Sequence, residues 1–223
     1  MQAHIITLKG HELSERLSQE CRAQAAKFNI TAWVFDAIWG KDYAEHASKL
    51  NIHIHPTVPN GKMTIGHYGN FLSHFYLWQQ CVKDAKPYLI LEHDGYFIKP
   101  LPNNILDQFT DVLKLDSIDP YRKDYEQVMA DEFNMPLCIR NIKPSKVKQA
   151  GGYTWGCYAY IIKPHAAQKL IDWVKEYGFL PTDNQIGLGI IDIKTCYPTI
   201  ARMHPFLCIG DNIYTQSTAA YTE

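Results

Sequence analysis

Lys86-Pro87-Tyr88-Leu89-Ile90-Leu91-Glu92-His93-Asp94-Gly95 is the stretch on which the fold turns. Tyr88 to Leu91 make an unbroken apolar run, with proline before it and charge after it. Such a run fits an interior strand of a parallel sheet, apolar throughout because helices cover both of its faces. In open α/β sheets, ligands gather outside the carboxyl ends of the strands, which is where Glu92 and Asp94 fall. Two residues apart on an extended backbone, both carboxylates face one way. Like charges this close repel unless a positive group lies between them, and a divalent cation serves that purpose. The same residues also fit a solvated acidic turn, with Asp94-Gly95 making the bend.

Outward from this stretch, the totals describe one ordinary domain. The chain has 223 residues, enough for a single α/β domain with a substantial core and too few for two. Its net charge of -1 provides no overall basic field to recruit nucleic acid. The six cysteines are scattered without a CxxC pair, which suits reduced, buried thiols better than a disulfide framework or a zinc site. Met1-Gln2-Ala3-His4 runs directly into strand-like residues, so no leader is expected. No run approaches the roughly 18 apolar residues that would suggest a membrane span. The expected location is cytoplasmic.

His4 to Leu8 reads as a first strand. Leu13, Leu17, Cys21, Ala25 and Phe28 recur at helical spacing, and Ala32 to Asp36 read as a second strand. This βαβ opening, with no GxGxxG or Walker sequence in its turn, predicts a nucleotide-type sheet without dinucleotide or P-loop chemistry. Asp36 at a strand end fits either a ribose or base-edge contact or the cap of the next helix. His53 and His55 share one face but lack a third ligand nearby, so a solvent-facing edge is expected. A helix is predicted from Ile65 to Val82, apolar on most sides. Asn70, Ser73 and His74 near its start must find partners there, either in neighbouring loops or as braces for the acidic strand end. A further strand is expected over Asp111 to Leu115, and a surface insertion over 116–150. Arg140, Lys143, Lys146 and Lys148 form a basic cluster that reads as a solvated face or a phosphate contact. Gly151 to Gly156 reads as a flap, Tyr158 to Ile162 as a strand, and Pro164 to Tyr177 as a helix closed by Gly178. Pro181-Thr182-Asp183-Asn184 starts another helix, with Asp183 as a natural cap. Ile193 to Tyr197 and Phe206 to Ile209 read as late strands.

Four segments, in order, resemble glycosyltransferase family 25, the lipooligosaccharide-type and collagen-type sugar transferases. They are Ile5-Ile6-Thr7-Leu8 with Arg16; Ile65 through His74 with Trp78; Leu89-Ile90-Leu91-Glu92-His93-Asp94; and Gly152 through Asp183. The third is similar to the family's LILEDD segment but carries His93 where a second acidic residue is usual, so the outer carboxylates Glu92 and Asp94 survive. The resemblance implies a GT-A-like (Rossmann-like) α/β fold, with a mostly parallel central sheet flanked by helices. One glycosyltransferase domain would span 1–223, with a variable insertion at about 116–150.

The activity implied is metal-dependent transfer of a hexose from a nucleotide-diphosphate sugar, UDP-glucose or UDP-galactose, to an acceptor hydroxyl with inversion. Mn2+ or Mg2+ would be held by Asp94 and by Glu92, the latter as ligand or ribose contact, with His204 as a third ligand. Asp183 would be the general base, against its other reading as a helix cap. Thr7, Asp36, Ser73, His74, Glu92 and Trp155 form the expected donor-binding set. The acceptor would be a glycan, a protein hydroxyl or a modified nucleobase. Two other classes stand beside this one: a non-catalytic sugar-nucleotide or glycan-binding protein of the same fold, and a metal-dependent phosphohydrolase, which would need more carboxylates.

Overall fold

The computed structural model describes residues 1–58, 63–116, 124–142 and 156–205. Among these residues the strands are β1 (Gln2–Thr7), β2 (Ala32–Asp36), β3 (Tyr88–Glu92), β4 (Gly95–Phe97), β5 (Val112–Lys114), β6 (Cys138–Asn141), β7 (Ala159–Ile162), β8 (Ile193–Tyr197) and β9 (Ala201–Met203). The α-helices are α1 (Glu12–Lys27), α2 (Tyr43–Leu50), α3 (Ile65–Asp84), α4 (Tyr125–Glu132), α5 (Pro164–Tyr177) and α6 (Thr182–Ile186). Seven strands form one sheet in the order β2-β1-β3-β7-β5-β8-β6, and β4 pairs with β9 in a small second sheet. β1, β2, β3, β5 and β8 run one way, while β7 and β6 run against them. The expected α/β architecture with a mostly parallel sheet is therefore present.

The quoted stretch is its centre. Tyr88, Leu89, Ile90 and Leu91 have no exposed surface, and their side chains alternate between two cores. Tyr88 and Ile90 face α3 and α5, packing with Phe71, Phe75, Trp78, Leu170 and Val174. Leu89 and Leu91 face α1, with Leu17, Cys21 and Phe97. An apolar run on both faces is what a two-sided layer requires, and each large side chain fully buried contributes about 1.5–3 kcal/mol.

Local chemistry sets the ends of the helices. Thr64 caps α3, its Oγ1 accepting the His67 N–H at 3.2 Å. Pro164 occupies the first turn of α5, and the Gly178 N–H closes that helix on the Val174 carbonyl at 2.9 Å. Gly178 has φ +90°, and a Cβ there would lie 2.7 Å from the His53 carbonyl oxygen, so glycine both ends the helix and lets residues 53–55 pass. Gly40 meets α3 more closely still: an added Cβ would lie 1.8 Å from the Ile65 carbonyl oxygen. Because the obstacle is backbone, Gly40→Ala is expected to cost about 1–3 kcal/mol, read as a lower urea midpoint with an unchanged slope.

Several local expectations change. Between β4 and β5 the chain makes a short 3-10 turn, Ile105–Asp107. β6 and β9, of four and three residues, carry too little pattern to stand out in sequence. His53 is exposed and His55 partly so, as the solvent-facing edge expected there requires, and His55 stacks on Trp173 and bonds Thr57 Oγ1 at 2.6 Å. Asp183 does not cap α6, because Pro181 holds that position. Expectations placed on Lys143, Lys146, Lys148, 151–155 and Phe206 to Ile209 lie outside the described residues. No helix among the described residues is long and apolar enough to cross a membrane.

Candidate active site

A pocket opens at the carboxyl edge of β1 and β3. Its lining includes apolar Leu8 after β1, Leu13 on α1 and Ile38 after β2, and the acidic Glu92, Asp94 and Asp183. His11, His67 and His93 also line it, whereas no Lys or Arg does so among the described residues. β3 ends on Glu92, the turn into β4 carries His93 and Asp94, and the first turn of α6 delivers Asp183.

The three carboxylates are held differently. Glu92 Oε1 accepts from Asn70 Nδ2 at 2.8 Å and is joined to His74 Nε2 at 3.1 Å. Burial alone would raise its pKa, but the His74 and Asn70 donors outweigh burial and hold it below the ordinary glutamate range. Asp94 is supported only by its own backbone N–H. Its Oδ1 is buried without a hydrogen-bond partner among the described residues. Burial first, and the Glu92 charge second, push its pKa up to about 8. Asp183 Oδ2 accepts the Gly156 N–H at 3.2 Å. Burial and Glu92 raise its pKa, with Lys114 and that N–H opposing. His93 is driven down to about 4 by burial, with Glu92 opposing and His11 reinforcing, so it contributes no charge at neutral pH.

A profile of glycosyltransferase family 25, described as LPS biosynthesis protein, matches residues 1–186. The chain belongs to glycosyltransferase family 25. No curated protein matches the sequence. Among solved structures, the apo form of mouse xyloside xylosyltransferase 1 is similar at 11% identity, covering 84% of this chain and 80% of that chain with a TM-score of 0.39. As a family 25 glycosyltransferase, the protein takes a sugar from a nucleotide-sugar donor and passes it to an acceptor.

Of the site residues expected in this family 25 chain, Glu92, Asp94, Asp183 and Ser73 come together around the pocket. Ser73 serves its wall, accepting the Ile38 N–H at 2.9 Å and donating to the Gly69 carbonyl at 2.7 Å. His74 stands behind Glu92, fully buried and away from the cavity, so it acts as a brace and not as a donor contact. The Thr7 hydroxyl is turned inward to Ser18 Oγ at 2.6 Å, fastening α1 to β1. Asp36 is neither a cap nor part of the pocket wall; it lies on the surface, 3.5 Å from Lys9 Nζ. The His204 imidazole is held by Glu20 Oε2 at 2.8 Å and sits edge-on to Tyr96; what reaches the acidic turn is its backbone N–H, 2.7 Å from the Asp94 carbonyl oxygen. Trp155 lies outside the described residues. Arg140, the described member of the basic cluster, lies over the Tyr197 ring at 3.5 Å.

Sequence reasoning passed over other residues. Thr182 Oγ1 bonds Asn70 Oδ1 at 2.5 Å and so fixes the amide that serves Glu92. Lys114 and Asp116, at the end of β5, are buried together at 3.4 Å, and Asp116 also accepts the Tyr158 hydroxyl at 2.8 Å. Nothing local marks them: Lys and Asp at the end of a short strand read as solvated until the topology sets β5 beside β7.

Proposed function

We propose that this family 25 enzyme moves a hexose from UDP-glucose or UDP-galactose to an acceptor hydroxyl, with inversion at the anomeric carbon and with Mn2+ or Mg2+ assistance. The observation that carries the reading is Asp94 Oδ1, a carboxylate oxygen buried in an acidic pocket with no hydrogen-bond partner among the described residues. An oxygen so placed suits a hard cation, and the pocket's described lining supplies no Lys or Arg to serve instead. Among the described residues no three His, Cys, Asp or Glu side chains are grouped to hold a metal alone. Glu92 and Asp94 would therefore hold it as a two-carboxylate site, the kind in which donor phosphates and water complete the shell. When bound, the cation neutralises charge on the leaving diphosphate.

The chain's own residues do the rest. The apolar lining residues Leu8, Leu13 and Ile38 limit water beside the donor, and the Asn70 and His74 donors keep Glu92 ionised and aimed. Asp183 is the general base. It takes the acceptor hydroxyl proton as that oxygen bonds the anomeric carbon and the bond to the diphosphate breaks. Its raised pKa strengthens it in that role, and the Gly156 N–H orients it. The family description points to a lipopolysaccharide-type glycan as acceptor. One domain over 1–223 would act in the cytoplasm, where the unpaired Cys21, Cys81, Cys157 and Cys196 suit a reducing milieu.

The test is a panel of nucleotide sugars incubated with the protein and Mn2+, with and without chelator, read by mass spectrometry. Cation-dependent release of UDP from one hexose donor is the expected result. Absence of cleavage or transfer for every donor, with Mn2+ present and acceptors varied among glycans, peptides and modified bases, would sink the reading.

A further inference from the structure

We infer that Tyr160 and His74 are positioning residues that present Glu92 to the pocket through one oxygen only. Asn70, His74 and Trp78 sit four residues apart on α3, so they form one stripe along a single face of that helix. His74 and Trp78 of this stripe meet Tyr160 on β7, in a core that includes Phe71, Phe75, Ile90 and Ile162. His74 and Trp78 have no exposed surface and Tyr160 has 1%. Polar groups in such a place are costly unless each meets a partner, and here they form an unbroken chain. Trp78 Nε1 donates to the Tyr160 hydroxyl oxygen at 2.9 Å, that hydroxyl meets His74 Nδ1 at 2.7 Å, and His74 Nε2 meets Glu92 Oε1 at 3.1 Å.

The proton inventory gives the chain a direction. Trp78 Nε1 can only donate, so the Tyr160 hydroxyl proton goes to the remaining partner, His74 Nδ1. His74 then carries its hydrogen on Nε2 and gives it to the carboxylate. Tyr160 thus fixes both the tautomer and the ring orientation of His74. From the other side Asn70 Nδ2 reaches the same Oε1 at 2.8 Å, its own oxygen held by Thr182. Both donors converge on Oε1, and Oε2 receives none among the described residues. A buried network whose last member is a pocket carboxylate serves that carboxylate, since apolar side chains would fill the same core without the polar cost.

This inference rests on Glu92 acting at the donor site. The apparent Kd for Mn2+ in the presence of UDP, together with KM and kcat for donor cleavage, would be measured for wild type, Tyr160→Phe, His74→Leu and His74→Gln. Tyr160→Phe and His74→Leu are expected to weaken Mn2+ roughly 10–100-fold, and His74→Gln, whose amide still donates toward Oε1, to recover most of the loss. Variants that lose only melting temperature, with Mn2+ affinity and both kinetic constants unchanged, would overturn the positioning role while leaving the function standing. A wild-type protein that neither binds Mn2+ with UDP nor cleaves a donor would overturn both.

Discussion

Asp94→Asn is expected to lower cation-dependent transfer by roughly 10²–10³-fold or more, the several kcal/mol by which a bound cation stabilises a leaving diphosphate. The variant should remain folded, because Asp94 Oδ1 makes no hydrogen bond among the described residues that the substitution could break. Folding gives a second signature, independent of turnover. Without a cation, Asp94 keeps its proton in the folded chain up to about 8, whereas in the unfolded chain it titrates at about 3.9. Between those two values the folded state binds the extra proton, so stability falls as pH rises from about 4 to about 8. Asp94→Asn should flatten that fall in a series of denaturant titrations, and Mn2+ should offset it in the wild-type protein by replacing the proton. Normal donor turnover by Asp94→Asn would remove Asp94 from the cation site.

Asp183→Asn is expected to lower kcat by roughly 10²–10⁴-fold, the usual worth of a general base, while UDP affinity in Mn2+ stays within about twofold. The amide can still accept the Gly156 N–H, so the first turn of α6 should stay in place. Calorimetric UDP titration alongside single-turnover transfer separates the outcomes. Loss of UDP binding would move Asp183 from the acceptor's proton to the donor, and full activity would remove it from the chemistry.

The central strand was legible because burial on both faces leaves an unbroken apolar run, and Tyr88 to Leu91 carry one. The opening βαβ unit was legible for the same reason, through the 3.6-residue spacing of α1. The direction of β7 was not: Ala159 to Ile162 are apolar throughout, and such a run looks alike read either way. Glu92, Asp94 and Asp183 could be picked out as acids following apolar strands or opening a helix. Thr7 and Asp36 occupy equivalent strand-end positions, yet one hydroxyl turns inward to Ser18 and the other side chain points to solvent beside Lys9. Strand ends have two sides, and sequence position does not say which one holds the ligand. Lys114 and Asp116 were invisible because their burial depends on a strand that arrives in the fold 45 residues later, at Ala159.

The acids at the end of β3 are tied to α3, a 20-residue helix that crosses both the core and the pocket, whereas Asp183 rides on α6, a helix of five residues. Local opening costs more free energy where more buried surface must be exposed. Amide exchange around Glu92 should therefore require opening close to that of the whole domain, while the turn bearing Asp183 can open at far smaller cost. One side of the cavity then keeps its shape for as long as the protein is folded, and the other can loosen to admit and release an acceptor between turnovers.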